Sequence, residues 1–415
     1  MTHISMKISS SFFPVLAALA TSLLFLGATA MGADKPQNSP KVGKILQSVQ
    51  EDLKNKKYTD AITKLKEADG TAGKNAYDQH FINEMLGFAY GHSGNNAEAA
   101  KAYEAELDDG FTPPADIPAR IRLLAGVEYD LKNYDKTIDY GNRAIKGGFA
   151  DDDTRIRVAQ AYYLKGDWKD TYHFVEGMIE NAIKSGQNPK NDWLQLALSS
   201  CAKMDDSACT TKQLERLVTY YPKPEYWQNL LFTLMKDTAN SDSNTLQVYR
   251  LMLEVDVLKT PDDFIEMANL AMDAGSPGEA QKALQRGFDK NAFTDQRNKE
   301  KAQRLLEKAK AKAAADQASL DKIAKEADAA PTGAKNVGMG LAYLGYGQYD
   351  KAVDQYTKAV SKGGVKNPPE TQLMLGIADL KAGHKDDAVK AFKAVKGDPV
   401  LERLGGLWAL HARQA

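Results

Sequence analysis

The stretch that decides the fold is Val337–Val360, VGMGLAYLGYGQYDKAVDQYTKAV, in which small and large residues recur at fixed offsets. Gly340 stands nine residues before Tyr349, and Ala352 stands three residues after it. This spacing predicts two antiparallel helices whose backbones approach closely at the two small residues. The space around them is filled by Tyr343, Tyr349 and Tyr356. Gly347 predicts the turn between the two helices.

This pattern resembles the tetratricopeptide repeat (TPR), a helical hairpin that recurs every 34 residues. Ala125 and Ala159 occupy the same small-residue position in two adjacent units that are 34 residues apart. Less complete units begin near Tyr58, Leu86, Pro261 and Leu375. The sequence therefore predicts an all-α fold, an α-α superhelix (TPR-like solenoid) of about eight or nine helical hairpins. Its open end is expected to be covered by a C-terminal capping helix, Pro399–Arg413.

Shifts in composition predict five segments along the chain. These are a signal peptide 1–30, a disordered leader 31–40, an N-terminal TPR-like superhelix 41–293, a long charged helical segment 294–330, and a C-terminal TPR pair with its capping helix 331–415. The charged segment has no Gly or Pro between residues 296 and 328, so we expect one long helix or two joined by a kink. Glu300 and Glu307 interrupt its Lys and Arg residues, which favours a solvated helix face over a basic binding patch.

The first thirty residues are typical of an export signal. The apolar run Val15–Leu26 follows Lys7 and precedes a triplet of small residues that ends at Ala30. The run is shorter than the ~20 residues that span a bilayer, which favours cleavage over retention as a membrane anchor. We expect cleavage after Ala30 and an exported, soluble protein with no transmembrane segment.

The charge balance bears on the class of partner, and the cysteine content bears on whether the protein contains a disulfide. The chain has 54 basic and 55 acidic residues, and this balance argues against binding to nucleic acid. Its two cysteines, Cys201 and Cys209, are candidates for a disulfide within one helical hairpin, as is common in exported proteins. Two free, partly buried thiols are the alternative, because the helix packing must also place the sulfur atoms correctly.

We recognise no motif for catalysis, metal binding or cofactor binding. The six histidines are scattered and form no pair with the spacing of a zinc site. The Gly-x-Gly that begins at Gly338 lies within a predicted helix, whereas a nucleotide-binding loop follows a strand. The run 151–153 of three aspartates lacks the spaced ligands of a calcium loop and fits a helix start. We therefore expect no enzymatic activity, no metal and no cofactor.

The positive expectation is a protein-binding groove. In a TPR solenoid the first helices of successive hairpins line a concave surface. Nine residues are predicted to project into it, and together we call them the candidate groove: Glu84, Phe88, His92, Arg122, Tyr129, Asp130, Ile156, Gln160 and Tyr163. Aromatic side chains with a few polar partners suit peptide recognition. The alternative for Phe88, Tyr129 and Tyr163 is packing between hairpins, because a one-residue shift in helix phase exchanges the two roles.

Most of the chain also resembles one branch of the TPR proteins. The resemblance is carried by FINEMLGFAY, YDLKNYDKTIDYGNRAIKGG, RVAQAYYLKGDW, YYPKPEYWQNLL, FIEMANLAMDAGSPGEAQKAL, LAYLGYGQYDKAV and GLWALHAR. These stretches are similar to exported TPR proteins encoded beside the TonB–ExbB–ExbD systems of Gram-negative bacteria. The resemblance implies a periplasmic scaffold or adaptor for protein partners, accessory to TonB-dependent transport, with TonB-system or outer-membrane components as partners. A cell-envelope assembly factor, in outer-membrane biogenesis, division or polymer export, is the alternative.

Overall fold

The computed structural model describes residues 36–238 and 240–414, and all regular secondary structure in those ranges is α-helical. The predicted signal peptide, 1–30, lies outside the described residues. The chain divides after Ser207 into two compact units, 1–207 and 208–415, which we call unit 1 and unit 2. None of the helices within the described ranges combines the length and the apolar character needed to span a bilayer.

Unit 1 is a succession of helical hairpins in its described part. Its helices are α1 Pro40–Lys54, α2 Tyr58–Asp69, α3 Ala76–His92, α4 Asn96–Asp108, α5 Ile117–Asp130, α6 Tyr134–Lys146, α7 Asp152–Lys165, α8 Trp168–Lys184 and α9 Asn191–Lys203. Each helix packs against the next one in the chain. First helices of successive hairpins also touch, since α1 contacts α3, α5 contacts α7, and α7 contacts α9. This layered stacking is the repeat architecture that the sequence predicts.

Unit 2 continues with helical hairpins and contains one longer helix. Its helices are α10 Ser207–Tyr220, α11 Pro224–Asp237, α12 Asp242–Glu254, α13 Pro261–Asp273, α14 Pro277–Asp289, α15 Gln296–Gln317, α16 Leu320–Ala329, α17 Ala334–Gly345, α18 Tyr349–Lys362, α19 Pro368–Ala382, α20 Lys385–Lys393 and α21 Pro399–Gln414. The charged segment is thus two helices, one of the two alternatives that the sequence left open. They separate at Ala318 and Ser319, where the Ser319 hydroxyl donates to the Asp316 carbonyl at 3.0 Å.

Close helix approach at glycine is confirmed in both units. A Cβ built on Gly340 would stand 2.8 Å from the Tyr356 ring, which is fully buried. Two other hairpins repeat this contact with the same separation of 16 residues between glycine and aromatic ring. The three pairs are Gly87–Tyr103, Gly340–Tyr356 and Gly376–Phe392. Since no side chain fits at these positions, each glycine sets the distance between its two helices.

The turn of the defining stretch also forms as predicted. Gly347 follows the end of α17 with φ +78°, a left-handed conformation that glycine adopts without strain. Its N–H donates to the Leu344 carbonyl at 3.2 Å, and the Gln348 N–H donates to the Tyr343 carbonyl at 2.9 Å. These bonds satisfy carbonyls at the helix end, so the chain can start α18 at Tyr349.

The described part of the predicted leader is 36–40, of which residues 36–39 are not helical and are bonded to the start of α3, and Pro40 begins α1. The Ser39 N–H donates to the Asp78 carboxylate at 2.9 Å, and the Asn75 amide donates to the Gln37 carbonyl at 3.0 Å. Asn75 and Asp78 also form a reciprocal capping box at the N-terminus of α3. The same two side chains therefore begin α3 and position the approach to α1.

The predicted capping helix is confirmed as α21. It packs on α19 and α20, and the Trp408 ring stacks on the Phe392 ring with centroids 5.7 Å apart. It also packs on α12 and reaches the beginning of unit 2, where Arg403 pairs with Glu215 at 2.7 Å and Gln414 donates to the Val218 carbonyl. This helix covers the last hairpin and ties it to α10.

Helix α12 has neighbours on all sides within unit 2. Gln247 donates to Glu370 of α19 at 2.9 Å, and Arg250 pairs with Glu279 of α14 at 2.6 Å. A third polar residue on the same face, Glu254, pairs with a lysine of α19. The remaining faces contribute buried apolar side chains, Leu246, Val248, Leu251 and Met252. Unit 2 is therefore assembled around one of its own helices.

Candidate functional site

The candidate groove is distributed over α3, α5 and α7 of unit 1. All nine of its residues are half-buried or exposed, which places them at the surface of these helices or where neighbouring helices meet. Local capping fixes where α7 starts, because the Asp151 carboxylate accepts from the Thr154 N–H at 2.8 Å and from its hydroxyl at 2.6 Å. Each group of groove residues meets a different set of neighbours.

The end of α3 carries an aromatic cluster. The exposed His92 ring stacks on the Tyr58 ring with centroids 5.1 Å apart, and the Phe88 ring lies 4.3 Å from the His92 ring. Phe88 also packs against the core shared by α1, α2 and α3. Partial burial and the nearby Lys56 charge lower the pKa of His92, which favours the neutral form of its ring. This cluster offers a flat, partly apolar surface with one hydrogen-bonding ring.

Glu84 borders a buried ionic cluster that sequence reasoning missed. The Arg120 guanidinium pairs with Glu106 at 2.6 Å, lies 3.7 Å from Glu84, and stacks over the Tyr103 ring at 4.1 Å. Glu106 and Arg120 are 1% and 3% exposed, so this pair lies away from water, and the half-buried Glu84 lies beside the same cation. Burial raises the pKa of Glu84 and raises that of Glu106 to about 7, while the Arg120 charge opposes both shifts.

Arg122 joins α5 to the start of α7. Its Nη1 donates to the Phe149 carbonyl at 2.9 Å, and its Nε lies 3.9 Å from the Asp151 carboxylate. The side chain is 37% exposed, and a guanidinium has five N–H donors. The residue thus orders the loop before α7 and still presents donors to solvent.

Tyr129 and Asp130 lie beside an arginine that the sequence analysis did not include. The Tyr129 hydroxyl is buried and has no hydrogen-bond partner among the described residues, and burial raises its pKa to about 12. Burial also raises the pKa of Asp130, against the opposing charge of Arg157 on α7. The Arg157 guanidinium lies 3.6 Å from the point where a Gly126 Cβ would stand. The sequence signal that could have indicated this contact is Gly126, which lies one turn before Asp130 in α5 and leaves space for a side chain of a neighbouring helix.

The three predicted residues on α7 are Ile156, Gln160 and Tyr163, which are spaced by four and three residues and share one helix face. The Tyr163 hydroxyl lies 2.7 Å from the Ser199 hydroxyl of α9. Ser199 was not among the predicted residues. This bond shows that Tyr163 contacts the next first helix, α9, while it stays half-buried. Its role in a binding groove stays a prediction.

Two further predictions, about cysteines and metals, concern residues other than the candidate groove. The described residues include no free cysteine, and the pairing of Cys201 with Cys209 stays a prediction that peptide mapping without reductant would test. Within the described ranges no group of three or more His, Cys, Asp or Glu side chains is placed to hold a metal ion. The contacts of the candidate groove residues provide aromatic surface and hydrogen-bonding groups.

Comparison with known proteins gives structural similarity at low sequence identity. No protein-family model matches the chain, and no curated protein matches its sequence. A tetratricopeptide repeat protein from Parabacteroides merdae is similar over 82% of this chain and 99% of its own, with 11% identity and a TM-score of 0.33. The TPR domain of P58(IPK) is similar over 90% of this chain and 98% of its own, with 9% identity and a TM-score of 0.23.

A third similar structure is the pentatricopeptide repeat protein PPR10 from maize. It matches over 91% of this chain and 57% of its own length, with 14% identity and a TM-score of 0.30. Since these scores are low, the fold assignment rests on the hairpins and the glycine–aromatic contacts described above.

Proposed function

We propose that this protein is a non-catalytic scaffold whose candidate groove binds a segment of a protein partner. The observation that carries the proposal is the combination of half-buried aromatic rings with polar groups that neighbouring helices leave available. Phe88 and His92 provide ring surface at one end, and the Arg122 side chain, which is 37% exposed, presents hydrogen-bond donors to a partner. Rings with a few hydrogen-bonding groups are typical of protein-recognition surfaces.

The Asp130 carboxyl and the nearby Arg157 charge would make this face selective among partners. Burial penalises the charged form of Asp130, and Arg157 partly compensates. A partner that brings a hydrogen-bond donor to Asp130, or an acceptor to the free donors of Arg122, would be favoured over one that leaves these groups unpaired. We expect the bound segment to be polar near α5 and apolar near the end of α3.

The finer proposal concerns location and partners. The export signal predicted at residues 1–30 and the resemblance to TPR proteins encoded beside TonB systems support a periplasmic adaptor accessory to TonB-dependent transport. Its partners would be TonB-system or outer-membrane components. The alternative is a cell-envelope assembly factor in outer-membrane biogenesis, division or polymer export. Both proposals use the same binding face, so partner identity distinguishes them.

Site-specific photo-crosslinking in cells tests the proposal. A photoreactive amino acid would replace Asp130, which is exposed on α5, and in a matched control would replace Asn142, which is exposed on α6. We expect adducts with TonB-system or outer-membrane proteins at position 130 and not at position 142. Adducts with only division or peptidoglycan proteins would select the assembly alternative. Equal adducts at both positions would reject the groove, and no adduct at either would reject the scaffold.

A further inference from the structure

A cavity lies inside unit 2, far along the chain from the candidate groove. Its volume is about 410 Å³, it is partly open to solvent, and it is lined by residues of α12, α13, α14, α17, α18, α19 and α21. This volume falls within the ~300–1,000 Å³ range of small-molecule sites in proteins. None of the candidate groove residues lines this cavity, so any ligand of the cavity is separate from the partner proposed for the groove.

The deeper wall of the cavity is apolar. Met267, Ile377 and Trp408 are at most 4% exposed, and Leu253 and Leu344 add further apolar surface. The Trp408 indole N–H is buried and has no hydrogen-bond partner among the described residues. Because this nitrogen has almost no accessible surface, the Trp408 ring contributes apolar surface to the cavity, not a hydrogen-bond donor.

The charged residues of the wall are paired with one exception. The three ion pairs are Arg250–Glu279, Arg286–Asp256 and Lys381–Glu254. Lys282 remains, and no carboxylate lies within ion-pair distance of it in the described part of the chain. Its Nζ is 3.4 Å from the Leu344 carbonyl and 5.4 Å from the centre of the Tyr349 ring. The lining therefore carries four cations and three carboxylates, and the uncompensated charge is positive.

We propose that this cavity binds a small organic carboxylate with an apolar body. The apolar body packs against Met267, Ile377 and Trp408, and the carboxylate pairs with Lys282 at the rim. A neutral ligand of the same shape would leave Lys282 without a counter-charge, and a cation would be repelled by the surplus positive charge. The proposal does not depend on the scaffold function, because none of these residues belongs to the candidate groove.

Indole NMR signals of the full chain test the proposal directly. The protein has four tryptophans, so a ¹⁵N-labelled sample gives four indole N–H signals, of which Trp408→Phe identifies one. The probe is 4-phenylbutyrate, and the matched neutral probe is 4-phenylbutanamide. We expect a saturable shift of the Trp408 signal with the acid, and binding of the amide that is weaker by about tenfold.

A pair of lysine variants locates the carboxylate. Lys282→Gln removes the unpaired cation, and Lys299→Gln removes the same charge from an exposed position of α15 that does not line the cavity. We expect about tenfold weaker binding of 4-phenylbutyrate to the first variant and no change for the second. Both side chains are exposed, so both variants should retain the wild-type thermal midpoint.

Each other outcome overturns the proposal. Absence of a saturable shift up to millimolar acid would reject the cavity as a site. Equal affinity for acid and amide would reject the role of charge. Unchanged affinity in Lys282→Gln, or equal losses in both lysine variants, would reject Lys282 as the group that binds the carboxylate.

Discussion

The two units use the same hairpin and bury their polar residues differently. In unit 1 the buried ions Glu106 and Arg120 come from consecutive helices, α4 and α5, and are 14 residues apart. In unit 2 the side chains of α12 bond to helices much later in the chain, as in the 123-residue separation of Gln247 and Glu370. Buried polar pairs form only when their helices are accurately placed. The pair in unit 1 therefore positions α4 against α5, whereas those in unit 2 position α12 against helices that come much later in the chain.

This difference bears on function. The first helices of unit 1 keep aromatic and polar side chains half-buried or exposed, whereas unit 2 surrounds α12 with α14, α19 and α21. In unit 2 the faces of α12 are thus covered by other helices of the same unit. A cavity of about 410 Å³ lies beside α12. Both units share the same hairpin, so the hairpin alone does not determine which helix faces stay accessible to a partner.

The largest expected effect is at the centre of unit 2. Arg250→Met leaves Glu279 partly buried without its cation, and we expect a loss of about 3–5 kcal/mol in the free energy of unfolding. Urea denaturation measures the loss, and hydrogen exchange should rise in α12 and α14 while α5 and α7 keep their protection. Increased exchange throughout unit 1 would contradict the view that this pair organises unit 2.

Two further variants sharpen this result. Arg286→Met breaks an ion pair whose two side chains are about half exposed, so we expect a loss of at most about 1 kcal/mol. Combining Arg250→Met with Glu279→Gln removes the unpaired charge and should recover part of the stability. A full loss in the double variant would show that Arg250 acts through packing alone.

The next effect concerns the feature that both units share. Gly340→Ala places a Cβ 2.8 Å from a fully buried ring, and we expect destabilisation by about 1–3 kcal/mol. Gly338→Ala, in the same helix, meets nothing within 4 Å and should stabilise the protein by roughly 0.5–1 kcal/mol. Thermal or urea denaturation measures both. Equal changes of the same sign would reject close helix approach at Gly340.

A smaller effect distinguishes unit 1 by its pH dependence. The folded-state pKa of Glu106 is raised to about 7 from an ordinary 4.5. Its contribution to stability is therefore full below pH 4.5 and is lost as pH rises through about 7. Between pH 5.5 and 8 we expect a loss on the order of 1–2 kcal/mol that Glu106→Gln removes. A Gln variant with the wild-type pH dependence in urea denaturation would assign the titration to another group.

The smallest effect separates packing from recognition in the candidate groove. Tyr163→Phe deletes the hydroxyl that bonds to Ser199, so we expect a loss of about 0.5–1.5 kcal/mol. Tyr129→Phe deletes a buried hydroxyl without a partner in the described structure and keeps the ring, so the thermal midpoint and photo-crosslinking from position 130 should both hold. A lower midpoint for Tyr129→Phe with unchanged crosslinking would make Tyr129 a packing residue.

The sequence by itself determined the hairpins, their close contacts and the capping helix. Residues spaced along one helix, or across a hairpin with a short turn, meet in a way that local geometry dictates, as Gly340 meets Tyr356. It also limited the charged segment to one helix or two. The bounds of the five predicted segments differ from the division after Ser207, and the five segments remain predictions.

Only the tertiary structure decided which side chains meet between hairpins. Arg157 fills the space over Gly126, and Arg250 reaches Glu279, because the phase and stacking of whole helices bring them together. A rotation of one residue per helix would exchange groove and core, and no local pattern resolves so small a difference. The buried pairs, the cavity of unit 2 and the neighbours of the candidate groove all depend on that phase.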